Sequence, residues 1–375
     1  MTPRQRYIET MTFGRPDRIP FEPGGPREST LARWRREGLP EGVDWRDYLH
    51  EQLGFERPKC NTWVSLDVNF RMIPHFAEKL IERTPQGHQI VQDWKGNVCE
   101  ISGDFDVSYL RHAKDFCTRR WIRCPVTGRD DWARMKQRYD PTAPGRFPDD
   151  FEARCKQAAD RDYVLMIGFP GPFWQIREWC GFEGLCMMML DDPDLVDDMA
   201  AFWTDFVAGM LDRILKHVVP DRVLICEDMA YKQKAMISPA MTRRFCKPSW
   251  DHWCRQLTRA NCPVIDMDSD GYIGELIPLW IESGITCCDP IEVAAGNDIN
   301  AYRRQYGHKM AYHMGVDKRA IAAGGKTIRH ELARIEPVLR DGGFFPCCDH
   351  GVPSDVSWPA FLDYARLLAQ MTGWL

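Results

Sequence analysis

The chain has 375 residues, of which 44% are hydrophobic and 27% are charged, a composition typical of a globular protein with a large core. Its 49 Lys and Arg residues and 54 Asp and Glu residues give a formal net charge of −5, which argues against nucleic-acid binding. No segment approaches the ~18 consecutive apolar residues of a membrane span, and no apolar signal segment follows the first residues. We therefore expect a cytoplasmic protein without nucleic-acid or membrane partners, whose fifteen cysteines are reduced and mostly buried.

The first 150 residues combine short helices with irregular segments. Thr2 and Pro3 predict a helix start, because Thr caps helices and Pro suits the first helical position. Residues 18–21 are typical of a short strand. Residues 89–98 predict a hairpin that turns at 95–97.

From about residue 160, short apolar runs alternate with amphipathic segments. The runs predict strands at 163–169, 222–226, 263–267, 284–288, 310–316 and 342–347. The amphipathic segments predict helices at 192–217, 239–260, 272–282, 298–306, 325–340 and 357–371. This alternation indicates parallel βαβ units. With the strand at 18–21 and one more within 60–150, the sequence predicts an α/β fold, a (β/α)8 TIM-type barrel with N-terminal additions. An open doubly wound sheet is the alternative.

Acidic residues follow most of the predicted strands, where a barrel enzyme carries its chemistry. In an extended strand, Asp266, Asp268 and Asp270 share one face because side chains alternate with period two. Carboxylates placed so close together repel one another, so some of them must be protonated, hydrogen-bonded or bound to a cation. We expect Asp268 to be functional, whereas Asp270 before Gly271 also suits a turn.

Four motifs resemble the uroporphyrinogen decarboxylase superfamily. They are Gly-Arg-Pro-Asp-Arg-Ile-Pro-Phe at 14–21, Met-Ile-Ser-Pro at 236–239, Glu-Val-Ala-Ala-Gly at 292–296 and Asp-His-Gly-Val-Pro-Ser-Asp-Val at 349–356. The resemblance implies one barrel domain over 1–375, with elaborations over about 1–150 and a site at the strand ends. It also implies one of two chemistries, which are cofactor-independent decarboxylation and zinc-assisted methyl transfer linked to a corrinoid protein.

The sequence departs from both branches of that superfamily. True uroporphyrinogen decarboxylases carry Arg-Gln-Ala-Gly-Arg-Tyr near the N-terminus, and residues 21–30 lack this motif. The methyltransferases bind zinc through His-x-Cys-Gly and a distant Cys. Here Asp268 stands at the His position, Asp270 at the first Cys position and His350 near the distant Cys. Such a set suits a divalent metal that prefers oxygen, with zinc as one candidate.

The resemblance leads to a first hypothesis, a corrinoid-linked methyltransferase or demethylase. Its substrate would be a small methylated compound such as an aromatic methyl ether. Asp268, Asp270 and His350 would hold the metal, a partner protein would carry the corrinoid, and Glu227 or Asp228 would orient groups or donate protons. Five further residues are predicted to contact the substrate: Tyr231, Lys232, Phe169, Trp174 and Glu292.

Two alternatives remain open, a metal-free decarboxylase or related lyase and a catalytically silent ligand-binding barrel. In the lyase, His350 donates a proton and Asp268 stabilises a developing cation. The aromatic segments 202–203 and 250–253 could serve as a homodimer interface or as core.

Overall fold

The computed structural model describes residues 1–55, 62–111 and 119–375. Its strands, numbered along the chain, are β1 (Trp63–Ser65), β2 (Lys79–Arg83), β3 (Gln89–Gln92), β4 (Val98–Ile101), β5 (Arg119–Arg123), β6 (Val164–Pro170), β7 (Arg222–Cys226), β8 (Val264–Asp268), β9 (Cys287–Asp289), β10 (Ala311–His313) and β11 (Phe344–Phe345). Seven of them form a parallel sheet in the order β1-β6-β7-β8-β9-β10-β11. The remaining four form an antiparallel sheet in the order β2-β3-β4-β5.

The predicted strands after residue 160 are confirmed, because each of the six apolar runs overlaps one strand of the parallel sheet. The strand expected within 60–150 is β1, which pairs in parallel with β6. The hairpin predicted at 89–98 is formed by β3 and β4. Buried parallel strands are marked by continuous apolar runs, which is why the sequence located them well.

The parallel sheet curls until its two edge strands approach each other. The Trp63 ring of β1 stacks on the Phe345 ring of β11, with 6.2 Å between the ring centroids. The described residues do not form an eight-stranded barrel, however. Residues 18–21, expected to be a strand, form no strand of the sheet.

A proline-rich segment lies at the gap between the two edge strands. Cys348 N–H donates to Pro23 O (3.2 Å), and Pro26 forms an isolated parallel bridge with Val352. On the β1 side, Trp63 Nε1 donates to Glu22 Oε2 (2.7 Å). Prolines at 20, 23 and 26 have no backbone N–H, so this segment cannot form a regular ladder.

Helices pack around the sheet. They are α1 (Pro3–Met11), α2 (Glu28–Arg36), α3 (Trp45–Leu53), α4 (Arg129–Lys136), α5 (Phe151–Gln157), α6 (Pro172–Cys180), α7 (Phe182–Asp191), α8 (Pro193–Leu215), α9 (Pro239–Phe245), α10 (Lys247–Arg259), α11 (Ile277–Ser283), α12 (Ile299–Tyr306), α13 (Lys318–Ala323), α14 (Gly325–Asp341) and α15 (Trp358–Met371). Among the described residues, no helix has the length and apolar character needed to cross a membrane.

Two helix predictions need correction. The helix expected at 239–260 is two helices, α9 and α10, separated at Cys246. Pro248 explains the break, because a proline inside a helix removes a hydrogen bond and collides with the preceding turn. The helix expected at 272–282 begins only at Ile277, and the residues before it belong to a loop.

Helix α1 closes the amino-terminal end of the curled sheet. Its start is fixed by a capping box, in which the Thr2 side chain accepts from Gln5 N–H and the Gln5 side chain accepts from Thr2 N–H. Tyr7 and Met11 of α1 are buried against inward-facing residues of the sheet, among them Val164. The open end of the sheet is therefore its carboxyl end.

Most of the cysteines and aromatic residues singled out in the sequence belong to the core. The thirteen cysteines that the structure describes are all free, and eleven of them are buried. Trp203, Trp250 and Trp253 are fully buried, so they contribute to the core rather than to a surface interface. These residues therefore do not support the predicted homodimer, which stays a prediction.

Candidate active site

The inward face of the sheet is arranged in lateral rows set by the strand register. Met166 pairs with Arg222, Leu224 pairs with Asp266, and Cys226 pairs with Asp268. Gly168, opposite Leu224, has an exposed surface although it lies in a central strand. The interior is thus accessible from the carboxyl end, with small and apolar residues on β6 and β7 and carboxylates on β8.

Arg222 lies at the centre of a buried charged cluster below this opening. Its Nη2 atom is 2.6 Å from Asp266 Oδ2 and 2.8 Å from Asp289 Oδ2. His313 Nδ1 lies 3.0 Å from Asp289 Oδ2 and 3.4 Å from Arg222 Nη2. The spacing of Asp266 from Asp268 and Asp270 predicted that some of these carboxylates need a proton, a hydrogen bond or a cation. For Asp266, the cation is the Arg222 guanidinium.

The two carboxyl groups of this cluster differ in their proton affinity. Burial and the neighbouring Asp289 raise the pKa of Asp266, although the Arg222 guanidinium opposes the shift. Burial also acts to raise the pKa of Asp289, but Arg222 and His313 outweigh it and lower that pKa. Asp289 is therefore the ionised partner of Arg222.

His350 lies at the rim of the opening and is held by two hydrogen-bond donors. Arg27 Nη2 is 2.9 Å from His350 Nδ1, and Gly351 N–H donates to the same atom (2.7 Å). Neither arginine nor a backbone N–H can accept a hydrogen bond, so Nδ1 must be the unprotonated acceptor. These two contacts therefore favour the tautomer of His350 that carries its proton on Nε2.

The Nε2 atom of His350 points toward the acidic side of the opening. It lies 3.4 Å from Asp270 Oδ2, and both side chains are partly exposed, 31% for His350 and 44% for Asp270. A neutral imidazole that presents N–H can stabilise negative charge developing on a bound molecule. The same tautomer has no free lone pair for a metal, because one ring nitrogen is protonated and the other accepts hydrogen bonds.

Asp268 ends β8 in a row with Cys226 and Asp289. Burial, followed by the nearby carboxylates Asp289, Asp270 and Asp266, raises the pKa of Asp268 well above its usual range. The Cys226 thiol is its hydrogen-bonding neighbour. These effects favour the protonated form of Asp268, which can act as an acid at the opening.

Asp228 and Trp174 are brought together by Arg177 of α6. Arg177 Nη2 lies 3.2 Å from Asp228 Oδ2, and its guanidinium carbon is 4.7 Å from the Trp174 ring centroid. Asp228 has a φ of +40°, a strained backbone conformation for a residue other than glycine. Burial raises the pKa of Asp228 although Arg177 acts to lower it.

Glu227 contacts the helix layer rather than the other predicted side chains. Its Oε2 atom accepts from Trp174 N–H (3.0 Å) in the first turn of α6, and its Oε1 atom accepts from Trp250 Nε1 (2.7 Å). A Cβ on Gly171 would lie 2.2 Å from this carboxyl group, so glycine is required for its approach. The fully buried Glu227 thus caps α6.

We expect Glu227 to make the stability of the protein depend on pH. Burial raises its pKa to about 8 from the usual 4.5, so the folded protein keeps a proton that the unfolded chain has lost between these values. The free energy of unfolding should fall as pH rises through this window, by up to ~1.4 kcal/mol per pH unit. Chemical denaturation of wild type and E227Q at several pH values measures this difference, and parallel pH profiles would contradict it.

Glu292 connects two loops at the opening. Its Oε2 atom accepts from Gly271 N–H and its Oε1 atom accepts from Lys318 Nζ, both at 2.9 Å. Lys318 also lies 3.7 Å from buried Asp349, whose pKa is raised by burial to about 6. Glu292 is therefore a structural link beside the opening, and a substrate contact by it stays a prediction.

The remaining substrate-contact predictions have different outcomes in the structure. Phe169 is 1% exposed and packs against Phe70 and Trp253, so it faces the helix layer rather than the opening. This corrects its assignment, because residues of β6 alternate and position 169 is on the outer face. Tyr231 and Lys232 are both exposed in the loop after β7.

Gly271 locks the loop after β8 against the loop after β7. Its φ is +84°, and a Cβ there would lie 2.6 Å from the carbonyl oxygens of Ala230 and Tyr231. We expect Gly271→Ala to lower the free energy of unfolding by ~1–3 kcal/mol, because backbone must shift at an unfavourable φ. Thermal unfolding compared with Gly128→Ala measures this cost, since a Cβ at Gly128 meets nothing within 4 Å. Equal stability of the two variants would refute the packing argument.

The metal ligands expected from the sequence, Asp268, Asp270 and His350, do not form a converging group among the described residues. Within residues 1–55, 62–111 and 119–375, the group of three potential ligands that converges to within 4.8 Å is Asp266, Asp289 and His313. Asp268 and Asp270 are not part of it, and neither is His350, whose lone pair is already used. The converging group has suitable donors but already surrounds the Arg222 guanidinium.

Comparison with known proteins supports the resemblance seen in the motifs. No family model matches the chain. Over 191 residues, or 49% of this chain, the sequence is 26% identical to uroporphyrinogen decarboxylase from Alcanivorax borkumensis. The match spans 51% of that protein, about half its length. The resemblance to the uroporphyrinogen decarboxylase superfamily is therefore confirmed.

The fold is similar to that of a solved methyltransferase structure. A methyltransferase from Methanosarcina mazei matches with a TM-score of 0.52 and 13% identity, covering 99% of this chain and 98% of that chain. A B12-independent methionine synthase from Shewanella sp. W3-18-1, solved with selenomethionine, has a TM-score of 0.39 and 12% identity over 61% of this chain and 67% of its own. The first match shows a shared fold over nearly the whole chain, and the second supports no further argument.

Proposed function

We propose that this protein is a methyltransferase or demethylase that acts on a small methylated compound at the carboxyl end of its curled sheet. The observation that carries the proposal is the orientation of His350, whose Nε2 proton faces the opening beside Asp270. The methyltransferase from Methanosarcina mazei that shares the fold supports the same class of reaction. A corrinoid on a partner protein is the proposed methyl acceptor.

The residues at the opening can stabilise the group that loses its methyl. A reduced corrinoid held by a partner protein would supply the nucleophile that takes the methyl group, and the electron pair of the broken bond would stay on the substrate heteroatom. His350 Nε2 then donates a hydrogen bond to the negative charge that develops. Asp268, kept protonated by burial and by neighbouring carboxylates, donates the proton that neutralises the leaving heteroatom.

The charge balance of the opening favours this substrate class over a polycarboxylate. Asp228, Asp268, Asp270 and Glu292 place four carboxyl groups there. Among the described residues, Arg27, Arg177 and Lys318 each contact a protein group already, His350, Asp228 and Glu292 respectively, whereas Lys232, a predicted substrate contact, is exposed. A substrate with several carboxylates would need cations that remain available to it.

A decarboxylase is the second candidate, because the curated relative from Alcanivorax borkumensis carries that activity in its name. In that reaction the carbon–carboxylate bond breaks, CO2 leaves, and the carbon that keeps the electron pair must be protonated. Asp268 could supply this proton as well. The two candidate reactions therefore differ in their substrates but can use the same proton donor, Asp268.

The decisive experiment exposes the purified protein to two panels of compounds. One panel holds methylated ethers, amines and thioethers with cob(I)alamin, whose absorbance falls on methylation. The other holds aromatic and pyrrolic carboxylic acids, with released CO2 as the readout. Methyl transfer that falls at least ~10²-fold in Asp268→Asn supports the proposal. CO2 release without methyl transfer would replace it by the second candidate.

A further inference from the structure

The cluster around Arg222 has the donors of a metal site, and a cation from the protein occupies its centre. We propose that Arg222 takes the place of a metal ion inside the sheet. The wild-type protein then binds no divalent metal in this cluster, and loss of the guanidinium turns the cluster into a site for one such ion. The cluster lies below the residues proposed to contact substrate, so this inference does not depend on the proposed function.

The position of one atom carries the argument. Nη2 of Arg222 is surrounded by Asp266 Oδ2 at 2.6 Å, Asp289 Oδ2 at 2.8 Å and His313 Nδ1 at 3.4 Å. Those three potential ligands lie within 4.8 Å of one another. Zinc binds oxygen and nitrogen at about 2.0–2.2 Å, which places tetrahedral ligands about 3.3 Å apart. Small side-chain movements would close the set around an ion at the Nη2 position.

The cluster also has unused capacity for a cation. Asp266 and Asp289 are 0% and 6% exposed, and the Oδ1 atom of each is buried and accepts no hydrogen bond. Arg222 brings one positive charge to two carboxyl groups, whereas a divalent ion brings two. Cys287 is fully buried beside Asp266, but its thiol does not belong to the converging group. Two carboxylates and an imidazole offer zinc three protein ligands, and water can take the fourth tetrahedral position.

The test compares metal binding in wild type, R222M and R222K, each treated with a chelator and then dialysed against zinc or cobalt. Methionine approximates the length of arginine without its charge, and lysine keeps a cation in the cluster. We expect about one equivalent of zinc in R222M, a tetrahedral cobalt spectrum and a rise in Tm on adding zinc. Wild type and R222K should show none of these. The double variant R222M/H313Q should bind zinc at least 10-fold more weakly than R222M.

Several results would overturn the proposal. One is a stoichiometric metal in wild type that is lost in H313Q, because the cluster would then bind metal beside Arg222. Another is a folded R222M protein that takes up neither zinc nor cobalt. If R222M is unfolded and neither zinc nor cobalt restores its fold, that result would also contradict the proposal, because it requires the metal to replace the guanidinium. Refolding of R222M only when zinc is present would support it.

Discussion

His350→Ala should lower kcat for the methyl substrate by ~10²–10³-fold, the usual cost of removing one hydrogen-bond donor from a developing anion. His350→Gln should retain more activity than His350→Ala, because the glutamine amide can present N–H near the position of Nε2. A residue that acted as a general acid would lose similar activity in both variants, since neither amide nor methyl can transfer a proton. Steady-state kinetics on the three proteins decides between the two roles.

Folding of the His350 variants should be nearly unchanged. The side chain is 31% exposed and lies at the rim, so its removal leaves no large core cavity. Circular dichroism and Tm measured beside the kinetics provide the control. Wild-type turnover in His350→Ala would show that this residue has no part in the reaction.

Arg222→Met should lower the free energy of unfolding by ~3–5 kcal/mol, since it leaves two buried carboxyl groups without their cation. Arg222, Asp266 and Asp289 have side chains that are 7%, 0% and 8% exposed, so water cannot replace the lost contacts. Chemical denaturation in the absence of metal measures this loss.

A surface ion pair provides the matched control for that prediction. Arg243 pairs with Glu282, and their side chains are 54% and 46% exposed. The same substitution there, Arg243→Met, should leave stability nearly unchanged, because water solvates the remaining carboxylate. Equal losses in the two variants would mean that burial of the Arg222 cluster contributes nothing specific.

The sequence predicted the parallel sheet well because most residues of its strands are buried and apolar. It failed at residues 18–21, where an apolar pattern with prolines extends beside the sheet without joining its ladder. The prolines were the available indication, since each removes a donor that a central strand needs.

Adjacent residues at a strand end show the limit of sequence analysis for the site. Either Glu227 or Asp228 was predicted to orient groups or donate protons at the site, yet Glu227 caps α6 and Asp228 contacts Arg177. Consecutive residues point to opposite faces, and the sequence does not tell which face the opening uses. The positive φ of Asp228 also redirects that side chain in a way that no pattern predicts.

The sequence analysis missed Arg27 and Arg222. Arg27 reaches His350 across 323 positions of the chain, a contact that only the three-dimensional fold creates. Arg222 was detectable in principle, because a charged residue that opens a buried strand at an inward position needs a partner. The period-two pattern of Asp266, Asp268 and Asp270 had predicted that some of these carboxylates need a proton, a hydrogen bond or a cation.

The protonation state of His350 tests the proposed chemistry most directly. Nitrogen NMR of the labelled protein, with the signal assigned by its loss in His350→Gln, distinguishes the two ring nitrogens at neutral pH. Our account predicts a neutral ring with the proton on Nε2 and an unprotonated Nδ1, and a partial loss of this preference in Arg27→Met. A proton on Nδ1 in wild type would contradict the account, because His350 could then ligate a metal through Nε2 or act as a charged acid.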